Sequence, residues 1–178
     1  MKKLVAADRK AATLFGINVA ICRNYAIAGA QYERTNEEGN NYVGGAGAAY
    51  IFKKFGKSCT QVKKIVHNDR SEEDEFGSSV AISEEYAMVG VPEKKKIDDG
   101  DTISNTGAVY VFKNDNGGDG NWGFVQKLVS SEENSSDRFG SSLAISDNYA
   151  IIGADGEGAA YVYERAENSW EMKKSSFP

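Results

Sequence analysis

Phe76-Gly77-Ser78-Ser79-Val80-Ala81-Ile82-Ser83, followed two residues later by Tyr86-Ala87-Met88-Val89-Gly90-Val91, is the stretch whose reading decides the fold. Successive residues of an extended chain point to opposite sides. Phe76, Ser78, Val80 and Ile82 therefore share one face, while Gly77, Ser79, Ala81 and Ser83 share the other. One face is large and apolar, the other small, and neither carries charge. A sheet covered on both sides is the expectation. The intervening polar pair, Glu84-Glu85, reads as a hairpin tip.

The same stretch occurs twice more. Phe15-Gly16-Ile17-Asn18-Val19-Ala20-Ile21-Cys22 leads through Arg23-Asn24 to Tyr25-Ala26-Ile27-Ala28-Gly29-Ala30. Phe139-Gly140-Ser141-Ser142-Leu143-Ala144-Ile145-Ser146 leads through Asp147-Asn148 to Tyr149-Ala150-Ile151-Ile152-Gly153-Ala154. Each copy closes with a similar segment: Gly47-Ala48-Ala49-Tyr50-Ile51-Phe52, Gly107-Ala108-Val109-Tyr110-Val111-Phe112, and Gly158-Ala159-Ala160-Tyr161-Val162-Tyr163. A further extended segment precedes each Phe-Gly pair: Lys3-Leu4-Val5, Val62 to Val66, and Phe124 to Val129. Four short strands per copy follow, with no apolar stripe of helical length. The expected organisation is one repeat domain over 1–178. Its approximate repeats are 1–56, 57–118 and 119–168, and a tail at 169–178 around Trp170 is read as completing a blade.

Composition agrees with a folded, turn-rich chain: 178 residues, 19 Gly, 2 Pro, 40% hydrophobic and 11% aromatic. A formal charge of −5 without a basic block argues against a nucleic-acid partner. No apolar run long enough to span a bilayer occurs. Asp8, Arg9 and Lys10 interrupt the opening Met1-Lys2-Lys3-Leu4-Val5-Ala6-Ala7, so no signal peptide is read there. Cys22 and Cys59 are too few for a disulfide scaffold and are read as free thiols.

The three registered copies resemble the FG-GAP repeat, the blade unit of integrin-α-type β-propellers. Phe15-Gly16, Phe76-Gly77 and Phe139-Gly140 match one half of its name, and Gly29-Ala30, Gly90-Val91-Pro92 and Gly153-Ala154 match the other in part. The resemblance implies an all-β, propeller-like architecture of three four-stranded antiparallel blades. Propellers typically have about four to eight blades. The ring is therefore expected to be completed by oligomerisation, with strand exchange at Trp170 as one route, or to belong to a longer propeller. Members of the family often serve in ligand or protein recognition outside cells, which makes an extracellular or cell-surface setting the implied one. Many related blades carry an acidic calcium loop between the paired motifs. Here those positions hold only Arg23-Asn24, Glu84-Glu85 and Asp147-Asn148, so no calcium loop is expected there.

Outside the repeat pattern, few residues point to chemistry. Asp115-Asn116-Gly117-Gly118-Asp119-Gly120-Asn121 and Asp98-Asp99-Gly100-Asp101 have calcium-like composition but lack a distal bidentate Glu at the right spacing, and are read as turns. His67 is the sole histidine; it is read as a solvated turn residue and gives the recurrent serines no matched base. Glu72, Glu73, Asp74 and Glu75, and Glu132, Glu133 and Asp137, are read as solvated loop carboxylates, with a glycosidase-like pair as the alternative. Lys94-Lys95-Lys96, balanced by nearby aspartates, reads as loop surface. Tyr25, Tyr86 and Tyr149 repeat in register and are assigned to blade packing. Tyr32, Tyr42 and Trp122 lie outside that register and are the ligand-contact candidates, since a sugar or peptide can use their apolar faces. The long segments 31–46 and 92–106 are the expected binding loops. The functional expectation is a noncatalytic recognition or assembly module for a protein or carbohydrate, without cofactor or metal. A loop-carboxylate hydrolase and a purely structural repeat are the alternatives.

Overall fold

The structure, a computed structural model, describes residues 3–8, 10–118 and 120–173. The expectations that fall on Arg9, Asp119 and residues 174–178 lie outside these. Among the described residues there are strands and turns but no helix.

Three four-stranded antiparallel sheets follow one another along the chain. The first comprises β1 (Val19–Cys22), β2 (Tyr25–Ala30), β3 (Ala48–Phe55) and β4 (Ser58–Ile65), hydrogen-bonded in that order. The second comprises β5 (Ser79–Ile82), β6 (Tyr86–Val91), β9 (Ala108–Lys113) and β10 (Gly123–Leu128). The third comprises β11 (Phe139–Ile145), β12 (Tyr149–Ala154), β13 (Ala159–Ala166) and β14 (Ser169–Met172). A two-stranded hairpin, β7 (Lys96–Asp98) with β8 (Asp101–Ile103), is inserted in the second. The two-residue tips match the sequence pattern: Cys22 pairs Tyr25, and the N–H groups of Ser83 and Ser146 donate to the carbonyls of Tyr86 and Tyr149 at 2.7 Å.

The sequence pattern has the segment before each Phe-Gly pair opening its repeat. It instead closes the preceding sheet: β4 pairs β3, and β10 pairs β9. Trp170 likewise stands in the fourth strand of the third sheet, with Arg165 opposite, so this segment completes a sheet of its own chain instead of exchanging into another. Lys3-Leu4-Val5 forms no strand; Leu4 packs against the cluster that includes Ala28, Tyr50 and Phe52. Adjacency along the chain is indifferent to which hairpin a strand joins, and the short β3–β4 turn, with Phe55 opposite Ser58, decides it.

The core lies between sheets. Ile27 and Ile51 of the first meet Val80, Ile82 and Val89 of the second, and Met88 and Val111 of the second meet Leu143, Ile145 and Ile152 of the third. Glycine sets the spacing at each junction. A Cβ on Gly29 would lie 1.9 Å from the Gly77 carbonyl oxygen, and one on Gly90 would lie 2.1 Å from that of Gly140. The small-residue face thus allows backbone-to-backbone approach, and Ser79 Oγ donates across it to the Gly140 carbonyl at 2.6 Å.

Candidate functional site

The second-to-third strand connections of the first two sheets, 31–46 and 92–106, share one rim. Each is anchored at its base by a buried charge at the equivalent position, three residues past the strand end, but the signs are opposite. In the first, the Glu33 carboxylate accepts hydrogen bonds from the backbone N–H groups of Arg34 and Thr35, both at 3.0 Å, and from the Thr35 hydroxyl at 2.7 Å. Lys64 Nζ lies 3.5 Å away. Burial would raise the carboxyl's pKa, yet these donors and Lys64 together hold it below its ordinary value. In the second, Lys94 Nζ donates to Asp74 at 2.8 Å and to the Asp69 carbonyl at 2.5 Å.

Asp69 is the centre of a wider network. It accepts from Tyr110 Oη at 2.5 Å, Lys127 Nζ at 2.8 Å and His67 Nδ1 at 2.9 Å. Burial opposes its ionisation, but these donors and the charge of Lys94 keep its pKa strongly depressed. The expectation of a solvated His67 is overturned: the ring is buried, stacks on Phe76 at 5.1 Å and lies 4.8 Å from Tyr110. Its packing on Phe76 and Tyr110, invisible in the polar string Asn68-Asp69-Arg70, is the reason. The network ties the crossing segment, through His67, Asp69 and Asp74, to Lys94, Tyr110 and Lys127.

Between the two loops lies a cleft of about 720 Å³. The first loop lines it with Tyr32, Arg34 and Tyr42, the second with Glu93, Lys95 and Asn105, and the crossing segment adds Glu73 and Glu75. That segment is zipped to the loop, with Glu73 N–H donating to the Gly44 carbonyl at 2.9 Å and Glu75 N–H to that of Gly45 at 3.0 Å. The Arg34 guanidinium lies 5.8 Å from the Tyr42 ring centre, within cation–π reach. Gln31 Nε2 donates to Glu75 at 3.1 Å, and Arg138 pairs with Glu93. Burial, reinforced by the neighbouring Glu93 charge, pushes the pKa of the Glu75 carboxyl above its ordinary value. Two aromatic faces beside interspersed donors and acceptors suit a polar ligand with an apolar face.

The structure brings Tyr32 and Tyr42, 38% and 65% exposed, to the same cleft. Trp122 is not there. It is 1% exposed and packs edge-on against Tyr25 at 5.2 Å, so it offers no surface to a ligand. Its position just before β10 makes it look peripheral in the sequence, but the fourth strand carries it into the junction with the first sheet. Tyr86 meets Trp170 in the same way at 5.5 Å, which explains the register of Tyr25 and Tyr86. Glu73 and Glu75 enter the cleft, whereas Asp74 is buried on Lys94 and Asp137 accepts from the Asn134 N–H at 2.7 Å. Of the lysine run, Lys94 is buried, Lys95 lines the cleft and Lys96 pairs with Glu133. Glu93 and Asn105 carry no sequence signal; only the convergence of loops reveals them. Asp98 to Asp101 form the hairpin tip between β7 and β8, and Asp115 accepts from the Gly120 N–H at 2.5 Å within its turn. Cys22 and Cys59 are free. No group of three or more His, Cys, Asp or Glu side chains is placed to hold a metal among the described residues.

Stacked four-stranded sheets with glycine junctions and rim loops define a class of all-β repeat proteins. Within it, the family model described as FG-GAP repeat matches residues 1–52, 59–112 and 122–163, and the chain belongs to that family. The sequence matches no curated protein.

Proposed function

We propose that the chain is a noncatalytic recognition module that binds a carbohydrate in the cleft between its rim loops, as one part of a propeller-like ring. The observation that carries this is the convergence of loops 31–46 and 92–106, from different repeats, which exposes Tyr32 and Tyr42 over a cleft of about 720 Å³. That size lies in the range of about 300–1,000 Å³ usual for small-ligand sites. Tyrosine rings cover the apolar face of a sugar ring, and Glu73, Arg34, Lys95 and Asn105 supply acceptors and donors for its hydroxyls. A protein partner would use the same tyrosines as anchors.

A glycan array followed by calorimetry tests the reading. Saturable binding without turnover, lost in a Tyr32→Ala, Tyr42→Ala double variant, is the expected result. Binding unaffected by that variant would refute it. A second reading, glycosidic hydrolysis, is favoured by Glu75 alone, whose raised pKa beside Glu93 suits a general acid. Turnover on a broad glycosidase panel that disappears in Glu75→Gln would favour it over simple binding.

A further inference from the structure

The junction between sheets has two different halves, and both occur inside this chain. The donor half belongs to the following sheet: the Phe-Gly turn and the large residues of its first strand. The acceptor half belongs to the preceding sheet: the glycine that opens its third strand and the apolar residues of its second and third strands. At the first junction Phe76 N–H donates to the Ala46 carbonyl at 2.9 Å, and a Cβ on Gly47 would lie 2.1 Å from the Phe76 carbonyl oxygen. At the second, Phe139 N–H donates to the Thr106 carbonyl at 3.1 Å, and a Cβ on Gly107 would lie 2.2 Å from the Phe139 carbonyl oxygen.

Each end of the stack keeps one half open. On the third sheet, Gly158 stands where Gly47 and Gly107 stand, and nothing among the described residues lies within 4 Å of the point a Cβ there would occupy. Ile151, the counterpart of the buried Ile27 and Met88, is 46% exposed. On the first sheet, Gly16 has the same left-handed φ (+87°) as Gly77 (+95°) and Gly140 (+91°), again with nothing within 4 Å. Val19 and Ile21, counterparts of the buried Val80 and Ile82, are 66% and 79% exposed. A cavity of about 630 Å³ bordered by Phe15, Gly16, Val19 and Phe52 fronts this sheet.

We propose that the open acceptor half of the third sheet receives the open donor half of the first sheet of a second copy of this chain. The occupant follows from complementarity, because the second copy carries the same partner surface that closes this junction twice within the chain. The joint is heterologous, so association proceeds head to tail. Its smallest closed product is two chains of three sheets, six in all, inside the range of about four to eight found in propellers. Cys59 occupies the first-sheet position held by Trp122 and Trp170 in the others, so this joint has no tryptophan to set against the partner's third sheet and is weaker than the internal ones. The rim cleft takes no part in the joint, so sugar binding and association can fail separately.

Sedimentation across a concentration series tests the joint on the full chain. The expected mass rises from 19.3 kDa toward twice that value. Ile151→Lys and Ile21→Lys, both at exposed positions, each abolish the rise, and circular dichroism verifies that each still folds. An equimolar mixture of the two regains a two-chain species, because each variant keeps the half that the other has lost. Gly158→Ala adds one methyl to open space in the single chain and abolishes association too. A wild-type mass of 19.3 kDa at every concentration overturns the proposal. So does association that survives Ile21→Lys but not Ile151→Lys, which would mean symmetric pairing of third-sheet faces.

Discussion

At the scale of single residues, two glycines of the first repeat have unequal tasks. Gly29 must admit the Gly77 carbonyl to 1.9 Å of its Cβ position, whereas Gly16 faces open space and needs only its positive φ. Gly29→Ala is therefore expected to cost about 3 kcal/mol or more, since backbone must move. Gly16→Ala should cost about 1–2 kcal/mol, the left-handed penalty alone. Urea denaturation of both variants checks the contrast, and equal losses would remove the close approach as its cause. His67 has a second residue-scale consequence. Burial pushes its pKa down, with Asp69 and Asp74 opposing and the Lys94 charge assisting. Below its ordinary value the unfolded chain takes up a proton that the folded chain resists, so stability is full above about pH 6.5 and falls as pH drops. Depression of the Asp69 pKa adds loss at still lower pH, because that carboxylate's contribution is present above its unfolded value and fades beneath it. Melting temperatures from pH 7.5 to 5 should decline more steeply for the native chain than for His67→Phe.

At the scale of elements, the fourth strand of each of the last two sheets does more than end a hairpin. It delivers a tryptophan to the tyrosine of the preceding sheet: Trp122 to Tyr25 and Trp170 to Tyr86. Removing Trp122 leaves a cavity in a buried junction, so Trp122→Ala should cost about 3–5 kcal/mol. Its Nε1 finds no hydrogen-bond partner among the described residues, so Trp122→Phe should be far milder. Thermal denaturation distinguishes the two. The strands themselves are legible in the sequence because period-2 alternation recurs three times in register. The ownership of the fourth strand is not, since a strand lying between two repeats has the same pattern whichever sheet it joins. Only the register, Phe112 opposite Phe124 and Tyr163 opposite Met172, assigns it.

At the scale of the whole molecule, the rim cleft exists because adjacent sheets present their long connections on the same side. Its tyrosines contribute little to the core, so Tyr42→Ala is expected to weaken ligand binding roughly tenfold, about 1.4 kcal/mol, with the melting temperature unchanged. Calorimetry with a glycan hit, paired with a thermal scan, reads both. Tyr32 and Tyr42 stand out in the sequence because they break the repeat register. Trp122 also stands outside the Tyr25, Tyr86 and Tyr149 register, yet it recurs as Trp170 and is buried: standing outside one register says nothing about exposure. Repetition, strand alternation and turn chemistry are local properties, and the sequence by itself determined them, along with membership of the repeat class. Which strand completes which sheet, that His67 and Trp122 are buried, and that Glu75, Glu93 and Tyr42 share one cleft depend on contacts between residues far apart in the chain, and only the tertiary structure decided those.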